Sequence, residues 1–406
     1  MVLVRVLGAL GWNVLCESGT RSSRSRWSTA SVGLPPLEGR GADPEAYVDR
    51  VRTICQQWAV SLVAPSGDQR LANCWQAARE SDTIVGARIL SADRRSADVF
   101  ADKAAGIEAA RGLGFPVPET LLGESAEDIV DAAESLGFPC VVKPRRSIQR
   151  IGGATLQLRH ISVGDRSEAQ AAVNALTGDD GVLPLAQEYV AGRSLSVTAV
   201  VHHRVVVAYS ARETFSFYPL GGGTSVWKRT IPPETPGVQE ALAFMRDWGL
   251  EGIAEVEYKL SSEGPRFMEL GPRMHGWIPL AEASSPGLLA AAIGTALGDD
   301  VPTLPMYRAN LEMRWIGGDL RRIRSALDPR TTMPRDLSRL DVLKTIWPPW
   351  RPAMLYDAVD LSDLGPLMPG ALSYRGAARK GSITRTAENE APLTNRQNGP
   401  NVPSAG

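Results

Sequence analysis

The sequence predicts an α/β protein in which a doubly wound parallel N-terminal domain is followed by α+β segments built on antiparallel hairpins. Three observations predict it. In the first part of the chain, helices alternate with short apolar strands: WNVLCES, a helix from DPEAYVDRVRTICQQW, then VSLVAPSG at 60–67, the order of a parallel sheet. Beyond about Ser96, apolar strands come in pairs joined by tight polar turns, the signature of antiparallel hairpins. Glycine and proline separate these pairs from helical stretches.

Size and charge narrow the function classes. The 406 residues suffice for two or three domains with cores of their own. A hydrophobic content of 43% and a charged content of 22% are those of an ordinary soluble globular chain. With a formal net charge of −1 there is no basic excess to neutralise phosphates, which argues against nucleic acid as the main partner. Cys16, Cys55, Cys74 and Cys140 lie far apart without a C-x-x-C pair, so reduced thiols and a cytoplasmic location are expected, not a zinc site or a disulfide framework. The opening MVLVRVLGALGWNVL is apolar but short, carries Arg5 and lacks a small-residue cleavage pattern, so it reads as a core helix. No other segment has the apolar length of a membrane span. A doubly wound domain opens on a strand, whereas this chain opens on a helix; a first strand is expected to be missing upstream, a divergent sheet edge being the alternative.

Further along, DVFADKAAGIEAARGLGFPVPET gives a helix, a Gly-Phe-Pro turn and an extended exit, and SAEDIVDAAESL a helix over 125–136. Strands are expected at LPLAQEYV, SLSVTAVVHH and RVVVAYSA, the last two forming a hairpin through a His-His-Arg turn. The glycine-rich FYPLGGGTSVWKRT precedes a helix at PGVQEALAFMRDWG. A second hairpin, IAEVEYKLSSEGPRFMELGPR, turns at Ser-Ser-Glu-Gly, and LLAAAIGTALGD is again helical. Residues 306–375 are rich in proline and tryptophan and resist assignment; from about Arg375 the apolar pattern ends, as in a disordered tail.

Three stretches carry chemistry. In VVKPRRSIQRIGG a buried strand ends on Lys143 and runs into a loop of arginines closed by Gly152 and Gly153. Backbone N–H groups freed by glycine can approach phosphate oxygens and the lysine adds a point charge, although a solvated basic loop has the same composition. In IAEVEYKLSSEGPRFMEL, Glu257 lies on one strand and Glu269 on the returning one, with Glu255 and Glu257 on one face by alternation. Neighbouring carboxylates repel unless a cation or proton sits between them, and magnesium fits; solvated carboxylates on an exposed hairpin satisfy the same pattern. In QEYVAGRSLSV a strand ends at a glycine hinge whose extended backbone could read the edge of an adenine; a plain edge strand is the alternative.

The order K-P … G-G … Q-E-Y-V-x-G … V-E-Y-K … M-E-L-G-P-R resembles the ATP-grasp superfamily over residues 1–320. Within it, the GGGTS loop and R-W-x-x-G-D-L (Arg314 to Leu320) are most similar to the carboxylate–amine ligases, the L-amino-acid ligases among them. The resemblance implies that Lys103 and Lys143 contact ATP phosphates, that the loop 145–153 with Gly152 and Gly153 is a flap over the triphosphate, and that Glu188, Tyr189 and Val190 cradle the adenine. It implies that Met268 stacks on the ring and that Glu257 and Glu269 hold magnesium, or manganese in its place. The ribose-binding glutamate is replaced by Ser194, and the usual E-x-N-P-R reads E-L-G-P-R, so Gly271 stands where an asparagine metal ligand is expected. The flap carries Arg145, Arg146 and Arg150, which suggests phosphate held by side chains. Arg273, with Arg229 as a second cation near the 221–225 loop, is the candidate for the carboxylate substrate; pairing with a structural carboxylate is the alternative for Arg273.

The domain organisation implied is an N-terminal domain over 1–97, a small ATP-grasp subdomain with the phosphate loop over 98–190, a C-terminal subdomain with the metal carboxylates over 191–305, an extension over 306–375 and a disordered tail over 376–406. The activity implied is an ATP-dependent, ADP-forming carboxylate–amine ligase acting on an amino acid through an acyl phosphate. Small-molecule substrates and a homodimer are expected, with neither nucleic acid nor membrane as partner. A purine- or biotin-type carboxylase and a degenerate nucleotide-binding regulatory module are the alternatives.

Overall fold

The structure, a computed structural model, describes residues 1–331, 333–334, 337–345, 354–357 and 362–367; the expected tail over 376–406 lies outside the described residues. Its centre is a seven-stranded sheet in the order Gly264–Gly271, Gly252–Ser261, Arg193–His202, Val205–Tyr218, Thr224–Thr230, Glu312–Arg314 and Leu355–Tyr356. All neighbours are antiparallel except the last two, which run parallel. Both expected hairpins are present, and the hard-to-assign segment after 306 supplies two strands to this sheet's edge.

Strand alternation gives the sheet one oily and one polar face. Leu195, Val197, Ala199 and Val201 pack with Ala254, Val256 and Tyr258 against the helix Val238–Trp248, which is stopped by Gly249 in the left-handed region. On the other face Ser194, Ser196 and Thr198 lie in register with Thr214, Arg212 and Ser210 on one side and with Lys259, Glu257 and Glu255 on the other. One end of that face, at Val200 and Ile253, is covered by the helices Ile278–Ser284 and Leu288–Leu297. The remainder is a polar floor.

A four-stranded antiparallel sheet, Ile161–Val163, Cys140–Lys143, Leu185–Glu188 and Thr120–Leu121, stands beside it. The helices Ala126–Leu136 and Arg166–Leu176 share its core. Ser125 and Asp128 form a capping box that starts the first of these where the sequence places it. A separate hairpin, Ile148–Ile151 with Ala154–Gln157, rises from the end of the Lys143 strand. The helix expected after Ser96 is split into Arg94–Phe100 and Lys103–Gly112, because the Asp102 carboxylate accepts the Ala104 N–H at 2.9 Å and so begins a new helix.

The N-terminal part contains the expected parallel pairing, Leu15–Glu17 with Ala30–Val32 and Leu62–Val63 with Ala87–Ile89. These strands are two or three residues long and belong to two separate sheets, and Thr83–Ile84 adds an antiparallel edge. The opening helix Val2–Ala9 buries Val4 and Leu7, as a core helix does. All four cysteines are free and buried. Among the described residues no single helix is long and apolar enough to cross a membrane.

Candidate active site

The two carboxylates of the Gly252–Ser261 hairpin face one another directly, Glu257 opposite Glu269. One position further the ladder slips: Tyr258 faces Phe267, and Met268 is left as the extra residue of a bulge. The slip matters because strict alternation would put Met268 and Glu269 on opposite faces. With the bulge, Phe267 goes into the core while the Met268 sulfur lies 3.9 Å from Nζ of Lys143 and Glu269 Oε2 lies 3.7 Å from Nζ of Lys103. Two lysines, two glutamates and a methionine singled out in sequence are thereby brought together.

The charges in this cluster do not balance by themselves. Burial, then the neighbouring Glu255 and Glu269, push Glu257 up to about 8. Burial lowers Lys143 to about 8, with Glu269 opposing and Lys103 adding to the shift. Two carboxylates and two lysines packed this closely are a chemistry that a divalent cation and a polyanion together would satisfy. The donor set of Glu257 and Glu269 fits magnesium, with Gly271 contributing no side-chain oxygen.

Lys103 is positioned by the flap's base. Its N–H donates to the Arg145 carbonyl at 2.9 Å, and its Nζ donates to Ser147 Oγ at 2.9 Å. Arg145 forks onto the Asp102 carboxylate, Nε to Oδ1 at 2.8 Å and Nη2 to Oδ2 at 2.6 Å. Burial works against that carboxylate, but the arginine and the Ala104 and Ala105 N–H groups hold it below its ordinary range. For Arg145 alone this departs from the expectation that the flap arginines face phosphate: its guanidinium is paired with Asp102.

Gly152 and Gly153 form the flap's tip with φ of 58° and 74°, a left-handed pair that only glycine adopts without strain. Their N–H groups, expected to face phosphate, donate instead to the two oxygens of Asp179 at 2.8 and 2.9 Å. The flap's second strand is bridged from the other side, Gly39 and Thr155 exchanging backbone hydrogen bonds of 2.9 and 3.2 Å. At the hinge, the Leu185–Glu188 strand ends beside Tyr189, which is 41% exposed, and Val190. Gly192 is required there, since a Cβ would come within 2.3 Å of the Leu260 carbonyl oxygen. Ser194 follows on the polar face, in register with Lys259.

Beyond the carboxylates lies a buried polar network whose roles sequence reasoning missed. Glu255 accepts from Arg212 Nη2 at 3.1 Å and from Trp277 Nε1 at 2.5 Å. Burial opposes its charge, but His275, Arg212 and these bonds keep its carboxyl below the ordinary value. The His275 ring stacks on Trp277 at 4.6 Å, meets Thr198 Oγ1 at 2.6 Å and is pushed down to about 4 by burial, with Glu255 opposing the shift. Lys228, 2% exposed, donates to the Ser225 carbonyl and hydroxyl oxygens at 3.1 and 3.2 Å and is lowered to about 7 by burial, then by Arg212. Arg212 Nε and Ser216 Oγ are buried without hydrogen-bond partners. The signal was present as alternation: Ser210, Arg212, Thr214 and Ser216 occupy every second position of a strand that also carries Ala211 and Phe217.

Arg273 and Arg229 fare differently from expectation. Arg273 donates through Nε to Asp68 Oδ1 at 2.5 Å and through Nη1 to the Met274 carbonyl at 3.0 Å, so the pairing alternative is realised. Its charge still reaches Glu257. Arg229 points away: adjacent to Lys228 on an extended strand, it takes the opposite face and lies 5.0 Å over the Phe215 ring. Arg229 is therefore not brought to the polar face, whereas its neighbour Lys228, opposite Thr214, lies on it. The glycine run at 221–223 packs on the small subdomain, where a Cβ on Gly223 would meet Arg159 Nη1 at 2.7 Å.

No protein-family model matches the chain. In sequence it is 25% identical over 255 residues to the arginine-specific carbamoyl phosphate synthase large chain of Eremothecium gossypii, covering 59% of this chain and 22% of that one. The chain thus spans about a fifth of that relative's length. In structure it is similar to a biotin carboxylase–β-γ-ATP complex from Campylobacter jejuni, with a TM-score of 0.58 and 14% identity over 76% of this chain and 71% of that one. The biotin carboxylase domain of Hydrogenobacter thermophilus 2-oxoglutarate carboxylase, solved with MgADP and bicarbonate, gives a TM-score of 0.60 with 13% identity over 77% and 70%. The L-amino acid ligase of Bacillus licheniformis gives 0.56 with 18% identity over 73% and 71%. The fold is that of the ATP-grasp proteins, as the ordered motifs implied.

Proposed function

We propose that the protein is an ATP-dependent, ADP-forming carboxylate–amine ligase acting on an amino acid. The observation that carries this reading is the convergence of Lys103, Lys143 and Met268 on the facing pair Glu257 and Glu269, with the buried cations Arg212 and Lys228 on the same sheet face. Lys103 and Lys143 would bind the phosphates, Met268 and the hinge at Glu188, Tyr189 and Val190 the adenine, and Ser194 the ribose side. Glu257 and Glu269 would hold magnesium, which supplies positive charge against the oxygens of the transferred phosphoryl group.

A carboxylate held by Lys228 and Arg212 attacks the γ-phosphorus; the P–O bond to ADP breaks as the new one forms, giving an acyl phosphate. The two lysines stabilise the charge on the transferred group, and the 148–157 hairpin excludes water that would hydrolyse the product. An amine then attacks the acyl carbon, the C–O bond to phosphate breaks, and the amine's proton leaves to solvent. No enzyme nucleophile is needed.

The experiment is ADP release from the full chain with Mg²⁺ and ATP across paired amino acids, single amino acids and bicarbonate. Release that requires two amine-bearing substrates supports the ligase. Release with bicarbonate alone would assign the carboxylase chemistry instead, and nucleotide binding without release under any substrate would leave a regulatory module.

A further inference from the structure

At the end of the central hairpin remote from the carboxylates, the chain turns through His203 and Arg204, both in the left-handed region with φ of 50° and 64°. Two-residue hairpin turns of this kind normally use asparagine and glycine, because other side chains are strained there. Here the strain presents an imidazole. The His203 ring lies 3.9 Å from the His202 ring, centroid to centroid, at 33°. Glu251 enters from the start of the neighbouring strand: its Oε1 is 2.5 Å from His202 Nδ1, and its Oε2 accepts the His203 N–H at 2.9 Å. Glu251 is itself fixed, since its N–H donates to Asp93 Oδ2 at 3.0 Å and its carbonyl accepts the Asp93 N–H at 2.8 Å.

We propose that His202, His203 and Glu251 form a binding site for a first-row transition-metal ion such as Zn²⁺ or Ni²⁺, separate from the magnesium carboxylates. One ligand atom from each of the three residues lies within 4.8 Å of the others. Two imidazoles and a carboxylate are a ligand set that binds zinc, with bonds of about 2.0–2.2 Å and the fourth position left to water. His203 is exposed, so that position opens to solvent. Imidazole donors select such ions over magnesium, which takes oxygen ligands. Six residues of extended strand separate His202 from Ser196, which is in register with Glu257, about 20 Å at 3.3 Å per residue, so the site does not share ligands with Glu257 and Glu269. On binding, the ion takes the place of the hydrogen bond between His202 Nδ1 and Glu251 Oε1, and the ring is bound as neutral imidazole with its N–H on Nε2. The ion then ties the hairpin turn to the 249–251 loop.

Calorimetric titration of the full chain with ZnCl₂ and with NiCl₂, in excess Mg²⁺ to fill the carboxylate site, tests the proposal. One equivalent of ion is expected to bind the natural protein and Glu257→Gln alike. His203→Asn should lose at least about tenfold in affinity. Asparagine tolerates the left-handed turn, so this variant removes the ligand while keeping the hairpin. Absence of saturable binding, or equal binding by His203→Asn, overturns the site. If the variant fails to fold, imidazole proton spectra of the natural protein decide, because the chain has only four histidines. Ion-dependent movement of the His202 and His203 signals supports the site; movement confined to His160 and His275 overturns it.

Discussion

Arg273 and Asp68, 205 residues apart in sequence, are joined by a hydrogen bond of 2.5 Å from Nε to Oδ1. The contact ties the exit of the Glu269 strand to the first turn of the helix Asp68–Ala78. The charge of the guanidinium it holds also acts on Glu257. A charged hydrogen bond contributes about 1.5–3 kcal/mol, and the partial exposure of both side chains reduces this. Asp68→Asn should lower the melting temperature by a few degrees while leaving the KM for ATP unchanged. Arg273→Lys keeps the charge but loses the Nε contact to Asp68; it should reproduce Asp68→Asn, shifting stability while both KM values change little. A several-fold rise in the KM for the carboxylate substrate alone would mean that the arginine binds substrate.

Lys143→Ala should weaken binding of a non-hydrolysable ATP analogue by one to two orders of magnitude, about 1.5–3 kcal/mol for a hydrogen bond to a charged group. Its circular dichroism should be unchanged, because burial already works against the charged form of this side chain. Titration calorimetry in the presence of Mg²⁺ reads the difference, and equal affinities would remove Lys143 from the phosphate site.

The fold and the carboxylate cluster were legible because they follow from local pattern. Alternation identified both hairpins, and the pair Glu257 and Glu269 needed only one of them. What escaped was set by distance or by a single residue's geometry. Nothing in the sequence around Asp68 points to Arg273, and nothing around Asp179 points to Gly152. The bulge at Met268 comes from a one-residue slip in pairing, which composition does not encode. Arg229 and Lys228 are neighbours in sequence and opposite in space, and the choice between them needed the strand's register.

Without a cation, burial and the neighbouring Glu255 and Glu269 work against an ionised Glu257, so a neutral isostere there should stabilise the metal-free protein. Glu257→Gln is expected to melt higher than the natural protein in chelator and to lose the Mg²⁺-dependent rise in melting temperature. Turnover should fall by at least about a hundredfold if the carboxylates hold the magnesium that acts in phosphoryl transfer. Binding of the adenine nucleotide without Mg²⁺ should change little. Near-normal turnover in the variant would refute the metal role.

The bidentate contact from Gly152 and Gly153 to Asp179 leaves the flap's tip fastened to its own subdomain. A carboxylate that satisfies two adjacent N–H groups occupies them as a phosphate would. Asp179→Ala should therefore increase hydrogen–deuterium exchange across 150–156 several-fold in the free protein, with saturating nucleotide restoring protection. Unchanged exchange in the variant would mean that the Gly39–Thr155 bridge alone holds the flap.

Lys228 gives the pH dependence. Its ordinary value of 10.5 is lowered to about 7, first by burial and then by Arg212. Between about 7 and 10.5 the unfolded chain binds a proton that the folded one has released, so stability rises with pH in that window; below about 7 the full penalty of a buried ammonium is present. Lys228→Met should accordingly be more stable than the natural protein at pH 6.5, with the gap narrowing by pH 8.5 in denaturant melts. Substrate reverses the sense. A carboxylate pairs with the ammonium form, so its KM should climb as pH rises above about 7, up to tenfold per unit. In Lys228→Met the KM should be high and flat. A KM independent of pH in the natural protein, with the stability trend intact, would leave Lys228 buried for packing and move the carboxylate to Arg212 or Arg273.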